Sequence, residues 1–376
     1  MGTNIGAVNK LLAGAVAVGM LSTAGIWGTG VASGDTALIV PGTAPSPYKP
    51  LREMYRFNPA EQPEIGANYY DSAGATRKVI PYPGSLWPLT GMDSPTLGQS
   101  VDIGTNNLDS AIRGTDGPIA VTGLSQGVLA LNAEQARLAT DPNAPPPDQL
   151  VFIKAGDPGR LVARALKPGT YVPIANYTVP APVESQYDTK EIVAEYDIFS
   201  DPPDRPGNLL ADLNAVMAGG YYGHSGTAFS DPAHVPPQDV TVTTNSKGAT
   251  TTTYFIRSNQ LPLTRLLEDQ AGLSPGMAQQ VDAVLRPMVD RAYTRNDNPA
   301  APAPAPAPQN PAMPVNLQNL NAPTALQNLN LPTLNVPSLN VPAVGPAVGP
   351  AITSPVQAAN VANTVRILQN LLPKKK

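Results

Sequence analysis

A serine between two glycines, directly after an apolar run, is the feature of this sequence that most clearly points to chemistry. Residues 123–127 read Gly-Leu-Ser-Gln-Gly and follow the strand-like run Pro118–Thr122. A helical pattern, Gln126–Ala139, begins within the motif. Small residues beside the serine permit the sharp strand-to-helix turn of a nucleophile elbow, which exposes the hydroxyl over a helix N-terminus. The context therefore predicts Ser125 as a nucleophile rather than as a helix-capping serine.

A serine hydroxyl needs a base that takes its proton and an acid that orients the base. In strand–helix folds with such an elbow, the acid and then the histidine follow the serine, each in a loop after a later strand. Asp197 comes directly after the predicted strand Glu191–Tyr196, and Asp201 lies four residues further on. Asp197 is the predicted acid, with Asp201 as the alternative.

The base has two candidates, because the chain contains two histidines. His224 lies in the glycine-rich segment 219–227, which can present an imidazole to a cleft. His234 lies in the proline-rich segment 231–237, whose composition is typical of a surface loop. The sequence therefore predicts His224 as the base.

An acyl-transfer site also needs N–H groups that hold the developing oxyanion. One is expected from the amide of Gln126, just past the nucleophile. The other is expected from the loop 41–46 after the first strand, with Thr43 or Ala44 as the donor, although an ordinary turn is equally compatible with that loop. The aromatic and aliphatic run 81–92 fits the rim of an acyl pocket, and core packing is its alternative role.

Short apolar runs with strand propensity alternate with helical patterns over residues 35–298. This alternation predicts an α/β fold in which a parallel sheet is covered by helices on both faces. The predicted strands are Thr36–Val40, Lys78–Tyr82, Pro118–Thr122, Gln149–Lys154 and Glu191–Tyr196; the predicted helices are Thr96–Ile112, Gln126–Ala139 and Pro206–Ala218; and Val240–Thr244 with Thr250–Ile256 predict an added hairpin.

Composition limits the classes of function. The 376 residues are 42% hydrophobic and include 44 prolines, so one large core is expected together with segments outside regular structure. A formal net charge of −4 leaves no broad basic face for a phosphate backbone, and nucleic acid is not expected as a partner. The lack of cysteine excludes a thiol nucleophile, and two histidines exclude a histidine-rich metal site. Neither a metal nor a cofactor is expected.

The two ends of the chain differ from its middle. After Lys10, residues 11–27 are uncharged and mostly apolar, which predicts an export signal or a retained membrane anchor within 1–34, with a buried core helix as the alternative. Residues 299–376 are rich in Pro, Ala and Asn and predict a disordered tail. Apolar residues at helical spacing in 361–372 fit an interfacial helix or a solvated one. An exported protein of the cell envelope is expected.

Several further segments, taken in order between residues 35 and 290, match one known family. They are the Gly42-Thr43 turn, the run 82–91, Ser100-Val101 with Gly104, the elbow 123–127, the runs 195–203 and 208–215, His224, and residues 261–263. With these segments, the sequence resembles the PE-PPE-domain serine hydrolases of mycobacteria, relatives of cutinases in the α/β-hydrolase class.

The resemblance implies an exported serine esterase or acyltransferase. A hydrophobic N-terminal segment without a separate helical PE or PPE module is most similar to envelope members that move fatty acyl groups between trehalose glycolipids. Ser125 would then accept the acyl group, His224 would move the proton, and a sugar hydroxyl would collect the acyl group. Acylated trehalose or another lipid ester, and membrane or envelope lipid, are the implied partners. The alternatives are a secreted lipase or cutinase-like esterase and a catalytically silent envelope-binding protein.

Overall fold

The computed structural model describes residues 36–49, 59–71 and 73–297. The predicted signal or anchor in 1–34 and the predicted tail 299–376 lie outside the described residues. Within the described part of the chain, no helix has both the length and the apolar character that a membrane span needs.

Seven strands form one sheet that is parallel except at one edge. In chain order they are β1 (Thr36–Val40), β2 (Thr76–Val79), β3 (Ile119–Leu124), β4 (Leu150–Ala155), β7 (Thr189–Ala194), β8 (Val240–Thr244) and β9 (Thr250–Ile256). The order across the sheet is β2-β1-β3-β4-β7-β9-β8, and β8 alone among them runs antiparallel to its neighbour. The short strands β5 (Tyr171–Val172) and β6 (Tyr177–Thr178) form a separate hairpin.

Alternate side chains of the central strands are buried on opposite faces of this sheet, as the period of two in a strand requires. Leu38 and Val121 pack on the face covered by helices α1 (Leu97–Arg113) and α2 (Gln126–Leu138). On the other face, Ile39 packs with residues of the 3₁₀ helix Ala67–Tyr69. The sheet is therefore flanked by helices on both faces, and the predicted α/β-hydrolase type of fold is confirmed, with short 3₁₀ helices contributing to the second layer.

The remaining α-helices follow β4 in the chain. They are α3 (Gly159–Ala165), α4 (Leu209–Met217), α5 (Pro262–Ala271) and α6 (Pro275–Asp290). A separate apolar cluster joins α4 and α6 to Tyr196 and Tyr293. Because Tyr196 lies two residues after β7, this cluster supports the loop at the end of that strand.

The predicted bounds of β1, β8 and β9 agree with the structure, and the predicted hairpin forms. The predicted strand Lys78–Tyr82 instead lies at Thr76–Val79. The predicted helix Pro206–Ala218 begins later, at Leu209, because the Asn208 side chain accepts a hydrogen bond from the Ala211 amide and caps the helix there.

Candidate active site

The turn from β3 to α2 places Ser125 at the carboxyl edge of the sheet. Its φ of 53° and ψ of −120° are uncommon for a residue with a side chain. A Cβ atom on Gly127 would lie 2.1 Å from the Val40 carbonyl oxygen, so only glycine lets α2 approach β1 this closely. The Ser125 amide donates to the Ala155 carbonyl oxygen at 2.9 Å, which attaches the elbow to the end of β4.

His224 and Asp197 form a buried pair. His224 Nδ1 lies 2.8 Å from Asp197 Oδ2, and the two residues are 4% and 0% exposed. His224 follows a single π-helical turn, Ala218–Tyr222, that continues α4, and its carbonyl accepts the Thr227 hydroxyl at 2.6 Å. The histidine is therefore held through both its ring and its backbone.

The Asp197 carboxylate is fixed by its own loop as well. The Ser200 hydroxyl donates to Oδ2 at 2.6 Å, and the amides of Phe199 and Ser200 donate to the two carboxylate oxygens at 3.2 Å. Tyr196, with a φ of 66°, makes the sharp turn that brings Asp197 directly beyond the end of β7. These contacts hold the carboxylate in one orientation, in which it faces the imidazole.

The ionisation of Asp197 determines which nitrogen of His224 is available. Burial alone would raise the pKa of Asp197, but the charge of His224 and hydrogen bonds from His224, Ser200 and the Phe199 amide outweigh it and hold this pKa below its usual range. An ionised carboxylate oxygen can only accept a hydrogen bond, so Nδ1 carries the ring proton and donates it to Asp197, and in the neutral imidazole the lone pair lies on Nε2. Nε2 is buried and makes no hydrogen bond to any described residue, Ser125 included.

The imidazole and the elbow contact the same dipeptide at the end of β4. Ala155 accepts the Ser125 amide, and a Cβ atom on Gly156 would lie 2.8 Å from His224 Nδ1 and Cε1. Gly156 has a φ of 61° and leaves the space that the ring occupies. The structure thus brings Ser125, His224 and Asp197 to one edge of the sheet, at the ends of β3, β4 and β7.

The alternative acid and the second histidine lie elsewhere. Asp201 accepts the Tyr196 amide at 2.8 Å and pairs with Arg295 at 2.9 Å, so its carboxylate stabilises the turn before Asp197 and does not contact His224. Burial raises the pKa of Asp201 to about 7, although the Arg295 charge and the Tyr196 amide act in the opposite direction. The His234 side chain is 85% exposed and pairs with Asp231.

The loop after β1 is held by the run 81–92. The Tyr82 hydroxyl donates to the Pro41 carbonyl oxygen at 2.5 Å. The Ala44 amide donates to the Gly84 carbonyl oxygen at 2.7 Å, which corrects the expectation that Ala44 is an oxyanion donor, because its N–H group is already occupied. The Thr43 amide makes no hydrogen bond to a described residue and stays a candidate donor.

Gln126 connects this loop to the elbow. Its Nε2 donates to the Ser85 carbonyl oxygen at 2.8 Å, and its Oε1 accepts the Ser100 hydroxyl at 3.1 Å. The Ser85 amide donates to Ser100 Oγ at 3.0 Å, which closes a buried triangle. The Gln126 amide lies in the first turn of α2, where a helix provides no acceptor, so it is free to donate to a ligand.

Several residues of this site were missed from the sequence. Gly156 gave no signal in the sequence, and Ser85, Ser100 and Ser200 were noted only within segments that resemble the family, without a role in the site. A serine in the apolar pattern of α1 and an aspartate three residues before a serine are the patterns that could have indicated Ser100 and Ser200. In the part of the chain that the structure describes, no cluster of three or more His, Asp or Glu side chains is arranged as a metal site.

Fold and site together define an enzyme of the α/β-hydrolase class with a strand–serine–helix elbow. The model of the PE-PPE domain matches residues 73–294. The chain is 70% identical over 301 residues to SL1278 acyltransferase Chp1 of Mycobacterium tuberculosis. The aligned region covers 80% of this chain and 72% of that protein. It is 43% identical over 326 residues to diacyltrehalose acyltransferase Chp2 of the same organism, over 77% of this chain and 89% of that protein.

Two further similarities are more distant. Esterase PE16 of Mycobacterium tuberculosis is 32% identical over 288 residues, which are 72% of this chain and 51% of that protein. A solved cutinase-like protein from Cryptococcus sp. is 16% identical with a TM-score of 0.28, covering 54% of this chain and 99% of that one.

The chain belongs to the PE-PPE domain family. The resemblance predicted from the sequence is therefore confirmed, and so is the expectation of an enzyme of the acyltransferase type. The export signal and the tail stay predictions, since their residues lie outside the described ones.

Proposed function

We propose that this protein transfers fatty acyl groups between trehalose-based glycolipids through an acyl-enzyme on Ser125. The observation that carries the proposal is the buried Asp197–His224 pair at 2.8 Å, whose unpartnered Nε2 lies at the same sheet edge as the elbow serine. The trehalose glycolipid substrate is supported by 43% identity to a protein named diacyltrehalose acyltransferase.

In the first half of the reaction, His224 Nε2 takes the proton from Ser125 Oγ as that oxygen attacks the carbonyl carbon of the donor ester. The amides of Gln126 and Thr43 hold the oxyanion of the tetrahedral intermediate. His224 then returns the proton to the departing sugar oxygen, and the acyl group stays on Ser125. Asp197 keeps the imidazole in the required tautomer and stabilises its protonated form.

In the second half, a hydroxyl group of the acceptor sugar takes the place of the departed one. His224 removes its proton, the sugar oxygen attacks the acyl carbon, and Ser125 regains its proton when the new ester is released. If water attacks instead, the product is a free fatty acid. This is the alternative function, a carboxylesterase, and 32% identity to a protein named esterase supports it.

A product assay separates the two functions. The full-length protein is incubated with diacylated trehalose, and the products are followed by mass spectrometry. Transfer yields trehalose with more acyl groups together with trehalose with fewer, whereas free fatty acid and deacylated sugar as the only products would show an esterase. Ser125→Ala is the control, because both activities need the same hydroxyl.

We also propose that the protein is exported and acts in the cell envelope, on membrane or envelope lipid. The support is the uncharged apolar segment 11–27 near the N-terminus. A fusion of residues 1–34 to a reporter enzyme that is active only after export tests this. An inactive reporter would contradict it.

A further inference from the structure

A segment between β4 and β7 borders the candidate active site. This crossing segment, residues 157–180, leaves the end of β4 directly after Gly156, which lies against the His224 ring. Its helix α3 is attached to the acid loop, because the Leu161 amide donates to the Phe199 carbonyl oxygen at 3.1 Å. The Phe199 ring centroid is 4.6 Å from that of His224. The first part of the crossing segment therefore lies on the acid–histidine side of the site.

The other part of the crossing segment lies on the nucleophile side. Its hairpin packs on the first turn of α1, where a Cβ atom on Gly98 would lie 1.8 Å from the Asn176 carbonyl oxygen. Two residues further along α1, Ser100 donates to Gln126, the residue after the nucleophile. The crossing segment thus extends from one side of the site to the other.

The charges of the crossing segment lie in its first part, at Asp157, Arg160, Arg164 and Lys167, whereas the hairpin and the residues that follow it are uncharged. Residues 168–183 contain no Asp, Glu, Lys or Arg, although 14% of the chain is charged. Tyr171 and Ile174 on the hairpin are 54% and 55% exposed. Exposed apolar side chains that cluster in this way indicate an interaction surface.

A second uncharged segment reaches the same end of α1. Residues 79–92 also contain no charged side chain, and Leu89 and Met92 are 45% and 64% exposed. The segment is held to the loop after β1, because the Ser46 hydroxyl donates to the Leu89 carbonyl oxygen at 2.6 Å. Both uncharged segments therefore contact the first turns of α1, and the second also contacts the loop that carries Thr43.

We infer that these two segments form the surface by which the enzyme rests on a lipid layer. The inference rests on the proposed function, since a substrate with long acyl chains resides in such a layer. Ile174, Leu89 and Met92 would enter the acyl region, and the Tyr171 ring suits the boundary between acyl chains and water. An acyl ester then reaches Ser125 without crossing water. A second protein copy on this surface would instead cover the approach to the site.

The absence of cysteine from the chain permits a direct test. Ile174→Cys in the full-length protein is labelled with an environment-sensitive fluorophore, and vesicles of phosphatidylcholine and phosphatidylglycerol are added. A shift of emission toward shorter wavelength is expected. The matched control is Val242→Cys, since Val242 is 52% exposed but lies on β8 at the far edge of the sheet. No shift at 174, or an equal shift at both positions, would overturn the inference.

Activity gives the second readout. Ile174→Asp is expected to lower acyl transfer from vesicle-embedded diacylated trehalose about tenfold, because a carboxylate opposes insertion into lipid. Labelling of Ser125 by a water-soluble fluorophosphonate is expected to stay unchanged in this variant, and Val242→Asp is expected to change neither quantity. Equal transfer by Ile174→Asp and by the unchanged protein would contradict the docking surface.

The outcomes separate this inference from the proposed function. Fluorophosphonate labelling without a vesicle-dependent shift overturns the docking surface alone. A protein that binds vesicles through residue 174 but is not labelled at Ser125 overturns the proposed function. A fluorophore shift that depends on protein concentration and needs no vesicles would show that a second copy occupies the surface, and this also overturns the inference.

Discussion

The proposed nucleophile and the proposed acid–histidine pair are positioned in different ways. The elbow lies within residues 123–127, and its geometry follows from one strand, one helix and the close approach that Gly127 allows. The pair Asp197–His224 depends on contacts from distant parts of the chain, for example Asp201 with Arg295, which are 94 residues apart. A nucleophile can thus be recognised within a short motif, whereas its acid is chosen by tertiary packing.

The largest loss of turnover that we predict comes from replacing the acid. Asp197→Asn is expected to lower turnover by about 10⁴-fold, because an amide in this place favours the wrong tautomer of His224. Asp201→Asn is expected to lower turnover less than tenfold, since its oxygen still accepts the Tyr196 amide. Steady-state rates of acyl transfer at one pH measure both. A larger loss for Asp201→Asn would assign the acid to Asp201.

A change at Gly156 tests how closely the histidine side is packed. Gly156→Ala is expected to lower turnover by roughly 100-fold, because the new Cβ atom would lie 2.8 Å from the imidazole and displace it. Gly248→Ala is the control: Gly248 also has a positive φ, of 84°, but nothing lies within 4 Å of a Cβ atom there. Similar losses of turnover for both variants would mean that backbone strain, and not the ring contact, is responsible.

The nucleophile side should respond more weakly to the loss of one hydroxyl. Tyr82→Phe removes the hydrogen bond to Pro41 and is expected to lower kcat about tenfold, since the loop with Thr43 loses a support. Tyr187→Phe removes a comparable hydrogen bond, to Pro145, near the amino end of β7 and should leave kcat unchanged. An unchanged kcat in Tyr82→Phe would show that the loop does not need this support.

Glu134, within α2, gives the smallest prediction, which concerns stability alone. Its side chain is fully buried, and burial, with the charge of Asp109, raises its pKa to about 8. Because this pKa is raised in the folded state, Glu134 does not lower the free energy of unfolding at pH values below its ordinary pKa. As the pH rises from there toward 8, the buried carboxyl group lowers the free energy of unfolding more and more.

Glu134→Gln is therefore expected to raise the free energy of unfolding by about 1–3 kcal/mol at pH 8 and to change it little at pH 4.5. Urea unfolding at the two pH values measures this, and activity serves as the control, which should not change. An equal effect at both values would show that Glu134 does not titrate between them.

The difference between the elbow, which local sequence defines, and the acid–histidine pair, which distant contacts define, also explains how much could be predicted from the sequence. The elbow, the parallel sheet and the bounds of β1 follow from local patterns of apolar residues and glycine. The sequence favoured Asp197 as the acid but left Asp201 as an alternative, because the environments of the two carboxylates depend on Ser200, Arg295 and the turn at Tyr196. The loop 41–46 was predicted to hold the oxyanion, but the contact that occupies the Ala44 amide joins it to Gly84, in a segment that only the fold brings near.

The helices α5 and α6 and the hairpin β5–β6 were not predicted. Strands of two residues carry almost no periodic signal, since a period of two needs at least four residues to be seen. The hairpin is defined by its packing on Gly98, which is a tertiary contact.

The most direct test of the central claim is the mass of the protein after brief reaction with diacylated trehalose. The account predicts that the full-length protein gains the mass of one acyl group, that the peptide containing Ser125 carries it, and that Ser125→Ala gains none. An acyl group on another residue, or full turnover by Ser125→Ala, would contradict the account.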